Sequence, residues 1–168
     1  MTSEQEILSA YSENPKGIYS INEIAKRLGK AYPHVHKTVR MLIDKGVLKR
    51  HEVGRSHLCS INFEDKRAIL LLALNHTSKY ETLPEDVKQR AAELLHVPHD
   101  IIVYHETKKR LYAVGGTTPT HTLHAQELLD MLLADEDFYA NHTVLSGYEN
   151  FYALINHPHI TRRYHPFL

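Results

Sequence analysis

Seven lysine and arginine residues fall between Lys30 and His57, against Asp44 and Glu52 as the carboxylates of that stretch, a local balance of +5. Clustered cations of this density mark a basic functional surface. Histidine is the second chemistry-bearing type, with fourteen in the chain, four before residue 64 and ten after it. Neutral imidazole ligates zinc, copper or nickel, and three or four such ligands make a site. His96 and His99 are three apart, as are His121 and His124, which makes these four the metal-ligand candidates. Yet the first pair brackets Pro98 and the second straddles a helix start, so scattered surface histidines account for the spacing, and no metal or other cofactor is expected. Proton uptake is a third possibility, since histidines gain charge near pH 6.5. Asp135-Glu136-Asp137 has the spacing of a divalent-cation pair, but two carboxylates at a helix end read as a solvated acidic turn. No serine–histidine–acid order, Walker loop or dinucleotide-binding glycine pattern is present.

The elements that must position these residues follow from spacing. Ser3-Glu4-Gln5-Glu6 and Ser20-Ile21-Asn22-Glu23 both fit a capping box. Behind the second, Ile21, Ile24, Ala25 and Leu28 form one apolar helical stripe, and Gly29 stands at its C-cap. A second helix is expected from Tyr32 to Lys45, with Pro33 in its first turn, Val35, Val39, Leu42 and Ile43 inward, and Gly46 closing it. That geometry turns Lys37, Arg40, Met41 and Asp44 outward, with His34 and His36 on the flanks. Two short helices joined this tightly make a helix-turn-helix. Val47–Val53 and Ser56–Ile61 then read as strands about Gly54-Arg55.

The whole stretch Ser20–Ile61, SINEIAKRLGKAYPHVHKTVRMLIDKGVLKRHEVGRSHLCSI, resembles a winged helix-turn-helix transcription regulator, the likeness covering about residues 1–62. The resemblance implies that the Tyr32–Lys45 helix enters the major groove of double-stranded DNA with its N-terminal residues toward base edges. It makes Lys30, Tyr32, His34, His36, Lys37 and Arg40 candidates for base or phosphate contact. Lys49, Arg50, Arg55 and His57 become the candidates on the wing.

Beyond residue 63 the charge balance reverses, from +4 to −4. Asp65 caps an expected helix through Ala68–Leu74, apolar all round and so expected to be buried on several sides. A helix starting at Thr82-Leu83-Pro84 follows, with Val87, Ala91, Leu94 and Leu95 inward. A strand pair at 101–104 and 110–114, a helix at 123–134, a short strand near Thr143–Leu145 and a last helix at 148–155 complete a small α+β domain. The segment Asp135–Ile155 is similar to the distal part of minimal nucleotidyltransferase domains fused behind winged helices in archaeal proteins. That family's phosphate-binding turn and metal carboxylates are not matched in order: Gly115-Gly116 is the nearest turn, and Asp135/Asp137 fall after a helix.

The reading is therefore an α+β chain, with a winged helix-turn-helix at 1–63 and a dimerisation or sensing domain at 64–168. It predicts a non-enzymatic DNA-binding regulator, homodimeric through Leu71 and Leu74, with a small-molecule or metal effector as a further partner. The metal-responsive variant would use the C-terminal histidines; a nucleotidyltransferase-like enzyme and a protein-interaction adaptor are the other classes. The longest apolar run, Ala68–Leu74, is too short to span a bilayer, which needs about 20 residues, and no signal peptide is evident, so no membrane partner and a cytoplasmic location are expected. With Cys59 as the single cysteine, no intrachain disulfide can form.

Overall fold

The first helix is capped one residue before Ser3. In the computed structural model, which describes residues 2–115 and 122–157, the Thr2 hydroxyl accepts from the Gln5 amide while the Gln5 side chain accepts from the Thr2 amide, so α1 runs Ser3–Ser9. Threonine with glutamine satisfies the same two amides as serine with glutamate, which is why the pattern at Ser3 misplaces the cap. The Ser20–Glu23 box forms as expected and opens α2, Ile21–Leu28. That helix stops at Gly29, where φ is +61°. Gly29, Lys30 and Ala31 lead directly into α3, Tyr32–Asp44, with Pro33 in its first turn.

On α3 the side chains of Val35, Val39 and Leu42 are buried as the spacing requires. Thr38 joins them, its hydroxyl donating to the His34 carbonyl at 3.3 Å, whereas Ile43 is only half-buried. A short β1 (Tyr19–Ser20) pairs with β3 (Ser56–Ile61), which in turn pairs with β2 (Leu48–Val53), all antiparallel. Two residues are too few to show periodicity, so β1 escaped the sequence reading. Leu48, Cys59 and Ile61 are buried on one face of this sheet, and Tyr11 Oη donates to the Cys59 carbonyl at 3.0 Å. Three helices and a three-stranded sheet in this order form a winged helix-turn-helix.

Compact packing divides the chain between Asn75 and His76, within α4 (Lys66–Glu81). The expectation that this helix is buried on several sides does not hold in the single chain. Ala68 and Leu72 are buried and Leu71 is half-buried, but Leu70 is 61% and Leu74 47% exposed. A helix turns about 100° per residue, so a continuous apolar run faces every direction, and here one stripe at i, i+4 finds cover.

The second unit contains α5 (Glu85–Leu95), β4 (Ile101–His105), β5 (Arg110–Val114), β6 (Thr122–Leu123), α6 (Ala125–Ala134), α7 (Glu136–Ala140), β7 (His142–Ser146) and α8 (Tyr148–Ile155). Its sheet runs β6-β5-β4-β7, with β6 parallel to β5 and the other pairs antiparallel. Every residue of β4 is buried, which places it at the centre, and Leu128, Leu132, Phe138, Phe151 and Ile155 bring apolar bulk from the helices. On α5 only the Val87/Ala91 stripe is buried, with Leu94 half-buried and Leu95 45% exposed, contrary to the inward placement expected of both leucines. The Asp135-Glu136-Asp137 run, expected as a solvated acidic turn, starts a helix, with Glu136 and Asp137 exposed. Asp135 caps α7 by accepting from the Phe138 amide at 3.1 Å, and carboxylates in a first turn suit the helix dipole. The fold class is α+β throughout. Among the described residues no helix is long and apolar enough to cross a membrane.

Candidate nucleic-acid interface

The outward face of α3 presents Tyr32, His34, Lys37, Arg40 and Met41, all exposed, with His36 half-buried beside them. Lys37 and Arg40 are three residues apart and so project side by side. The rings of Tyr32 and His36, one turn apart, sit 5.6 Å between centroids. At the N-terminal end Ala31 supplies no side-chain cap, leaving the first-turn amides and the positive end of the helix dipole toward whatever the helix meets.

The basic residues singled out in the sequence are not equivalent in the folded chain. Among the described residues, the side chains of Lys37, Arg40 and Arg55 take part in no ion pair or hydrogen bond. Lys30 instead lies 3.5 Å from Glu6, and Lys49 lies 3.2 Å from Glu64. Arg50 is 2.9 Å from Glu52 and 2.9 Å from His57 Nδ1, which groups the three on one face of the wing. Exposed pairs like these contribute at most about 1 kcal/mol, so a phosphate can displace the carboxylates at small cost. In the first unit the exposed large apolar side chains are Tyr32 and Met41 on α3, Val53 beside the wing turn, and Leu70 and Leu74 on α4. Val53 is the surface feature that sequence reasoning missed, because strand alternation alone does not reveal which tip residues stay uncovered.

In the second unit, the candidate metal ligands that lie among the described residues are not brought together. His96 and His124 are exposed, and His121, like Gly116 and the threonines after it, lies outside the described residues. His99 has both ring nitrogens engaged, Nδ1 with the Val97 carbonyl at 2.7 Å and Nε2 with Ser146 Oγ at 2.8 Å. Asp135 is held by Lys108 and by the α7 cap. Asp137 accepts from Thr107 at 3.3 Å and Asn141 at 2.7 Å. Among the described residues no group of three or more His, Cys, Asp or Glu is disposed to hold a metal ion.

Among the described residues three other histidines are buried instead: His76, His105 and His142, with 5%, 0% and 1% exposure. Their signal in the sequence was positional. His76 falls one turn beyond Leu72 on the buried stripe of α4, and His142 alternates with Val144 on β7.

A family model described as HVO_A0114 matches residues 2–68, the span of the winged helix-turn-helix and the first residues of α4. No curated protein matches the chain. Among solved structures, MepR, a transcription regulator of the Staphylococcus aureus multidrug efflux pump MepA, is 20% identical, covering 56% of this chain and 75% of its own, at a TM-score of 0.38. A likeness that remote carries no weight for fold or function.

Proposed function

We propose that this chain is a sequence-specific, double-stranded-DNA-binding transcription regulator that works as a homodimer in the cytoplasm. The observation that supports it best is the pair Lys37 and Arg40, exposed and without intramolecular partners among the described residues, on the outward face of the second helix of a helix-turn-helix. A major groove about 12 Å wide admits such a helix. In that pose Tyr32, His34 and His36 approach base edges, with Met41 as a further apolar contact. Lys30 reaches backbone phosphate, and Arg55, Lys49, Arg50 and His57 bring the wing to the flanking backbone.

The electrostatic part is tested by fluorescence anisotropy on a labelled duplex across a salt series. Each phosphate neutralised adds about 0.9 to the slope of log affinity against log salt. Arg55→Ala is expected to lower the slope by about 0.9 while leaving the preferred sequence unchanged. A slope unaffected by Arg55→Ala removes the wing from the interface.

Dimerisation supplies what one short reading helix lacks, a second half-site at fixed spacing. Leu70 and Leu74, exposed in the single chain, with half-buried Leu71 beside them, are the proposed contact. Leu74→Glu is expected to halve the solution mass without loss of circular dichroism. A wild type that is monomeric at micromolar concentration overturns the dimer. That contact belongs to the first unit, and the second unit is then an effector-sensing body without catalysis. Nucleotide transfer with a divalent metal, abolished by Asp135→Ala or Asp137→Ala, would contradict that assignment.

A further inference from the structure

His76, His105 and His142 form a continuous buried group in the second unit. His105 and His142 are opposite each other across β4 and β7, and the rings of His76 and His142 lie 5.7 Å apart. The hydrogen bonds fix which nitrogen holds the proton in each ring. His76 Nδ1 accepts from the Val144 amide at 3.3 Å, so its proton sits on Nε2 and is donated to Tyr152 Oη at 2.6 Å. His76 thereby ties the end of α4 that belongs to the second unit both to β7, an edge strand of the sheet, and to α8. His105 Nδ1 accepts from the Lys108 amide at 3.2 Å, which leaves its proton on Nε2. His142 Nδ1 donates to the Tyr139 carbonyl at 2.8 Å, and its Nε2 is buried without a hydrogen-bond partner among the described residues.

We propose that these three histidines make the second unit an acid-operated latch, in which proton uptake releases the C-terminal part of α4, residues 76–81, from β7 and α8 while the winged helix-turn-helix stays folded. The chemistry follows from the tautomers. A proton added to His76 or His105 lands on Nδ1, where an N–H already points, and converts a hydrogen bond into an opposition of two donors. A proton added to His142 lands on Nε2, where nothing accepts it. A proton on His142 places an unpaired cation against Phe151, and one on His76 places a cation among Tyr148, Tyr152 and His142, where an unpaired charge is expensive. His105, packed on Phe138, has Asp137 at 3.7 Å as its one facing carboxylate within 4 Å among the described residues. Opening exposes the rings to water, which is the only relief on offer.

The neighbouring charges do not reverse this. Facing His76 are His142 on β7, Tyr148 and Tyr152 on α8, and Lys79 on its own helix. Facing His142 are His76 and Lys79 from α4, Glu106 after β4 and Tyr139 on α7. Facing His105 are Lys108, Glu106, Asp135 and Asp137, the last 3.7 Å from Nε2. The carboxylates favour a proton, but Glu106 is already engaged by Lys79 at 3.2 Å and Thr143 at 2.6 Å, and Asp135 by Lys108. Burial holds all three histidines below the ordinary histidine range, His142 down to about 4, chiefly through desolvation. A histidine depressed in the folded state gives stability that is full above its unfolded value and is lost as pH falls toward the folded value. In the first unit none of His34, His36, His51 and His57 is fully buried.

The test is regional amide hydrogen exchange on the full chain between pH 7.5 and 4.5, corrected for intrinsic rates. His142 alone raises the opening equilibrium about 70-fold between pH 7.5 and 4.5. The expected result is a loss of protection of at least that size in β7 and α8, against less than about tenfold in α2, α3 and the wing strands. In His142→Phe the acid-induced loss in β7 and α8 shrinks at least tenfold relative to that variant's own value at pH 7.5; in His76→Gln, used should the first variant fold poorly, that loss is smaller than in the wild type. Equal losses in both units, protection of β7 and α8 that persists at pH 4.5, or an acid loss unchanged in the variants overturns the latch.

Discussion

Replacing Lys37 and Arg40 together by alanine is expected to weaken binding to a preferred duplex roughly 100-fold while leaving the fold intact. Both side chains are exposed and make no ion pair or hydrogen bond among the described residues, so their removal changes stability by no more than about 0.5 kcal/mol. On DNA each supplies a charge-assisted contact, and a good base or phosphate contact contributes about 1–3 kcal/mol. Two such losses of about 1.4 kcal/mol each, in the lower half of that range, give about two orders of magnitude. The salt slope falls as well, by up to about 1.8 if both groups touch phosphate. A matched control, Lys88→Ala with Arg90→Ala, removes equal charge from α5 and is expected to change affinity little. Thermal denaturation of the double variant separates lost contact from lost fold.

Gly147→Ala carries the largest expected loss of stability. Gly147 has φ +74°, and a Cβ there would lie 1.9 Å from the Asp100 carbonyl oxygen and 2.9 Å from the Ile101 Cα. Those are backbone atoms at the start of central β4, so no side-chain rotation relieves the overlap. The left-handed conformation alone costs an L-residue roughly 1–2 kcal/mol, and the clash adds to it. We expect the second unit to lose at least about 3 kcal/mol in urea, with the winged helix-turn-helix transition unmoved. Gly29→Ala is the contrast: φ is +61° there too, but nothing lies within 4 Å of the added carbon. That substitution should show the conformational cost alone, about 1–2 kcal/mol.

Where one element's residues speak for themselves, the fold was legible. The Ser20–Glu23 box, the Gly29 stop, Pro33 in a first turn and the turn at Gly54 are local chemistry, and α2, α3, β2 and β3 lie where those signals put them. The misses are elements too short to carry a period. β1 and β6 have two residues each, and α7 is read from its Asp135 cap only once Phe138 is known to be buried. Burial of an all-apolar helix was also beyond reach, since Leu70 and Leu72 look alike until a neighbour covers one of them. For the interface, the outward placement of Lys37 and Arg40 followed from helical spacing. That Lys30, Lys49 and Arg50 are paired with Glu6, Glu64 and Glu52 did not, because Glu6 and Glu64 are distant in sequence and Glu52 comes to the same face as Arg50 only once both lie in β2. The buried histidines were misjudged for the same reason. Histidine reads as polar, and only the Val144 and Lys108 amides and the Tyr139 carbonyl explain how three of them fit a core.

The central claim is that this winged helix-turn-helix reads a DNA sequence, and the most direct measurement is selection of bound fragments from genomic DNA by the full-length protein at about 0.15 M salt. The account predicts enrichment of a single motif with two related half-sites about 10–10.5 base pairs apart, or a multiple of that spacing, bound at least about 1,000-fold more tightly than bulk DNA. Recovery of fragments with no common motif, or no retention of duplex DNA even at low salt, would contradict it.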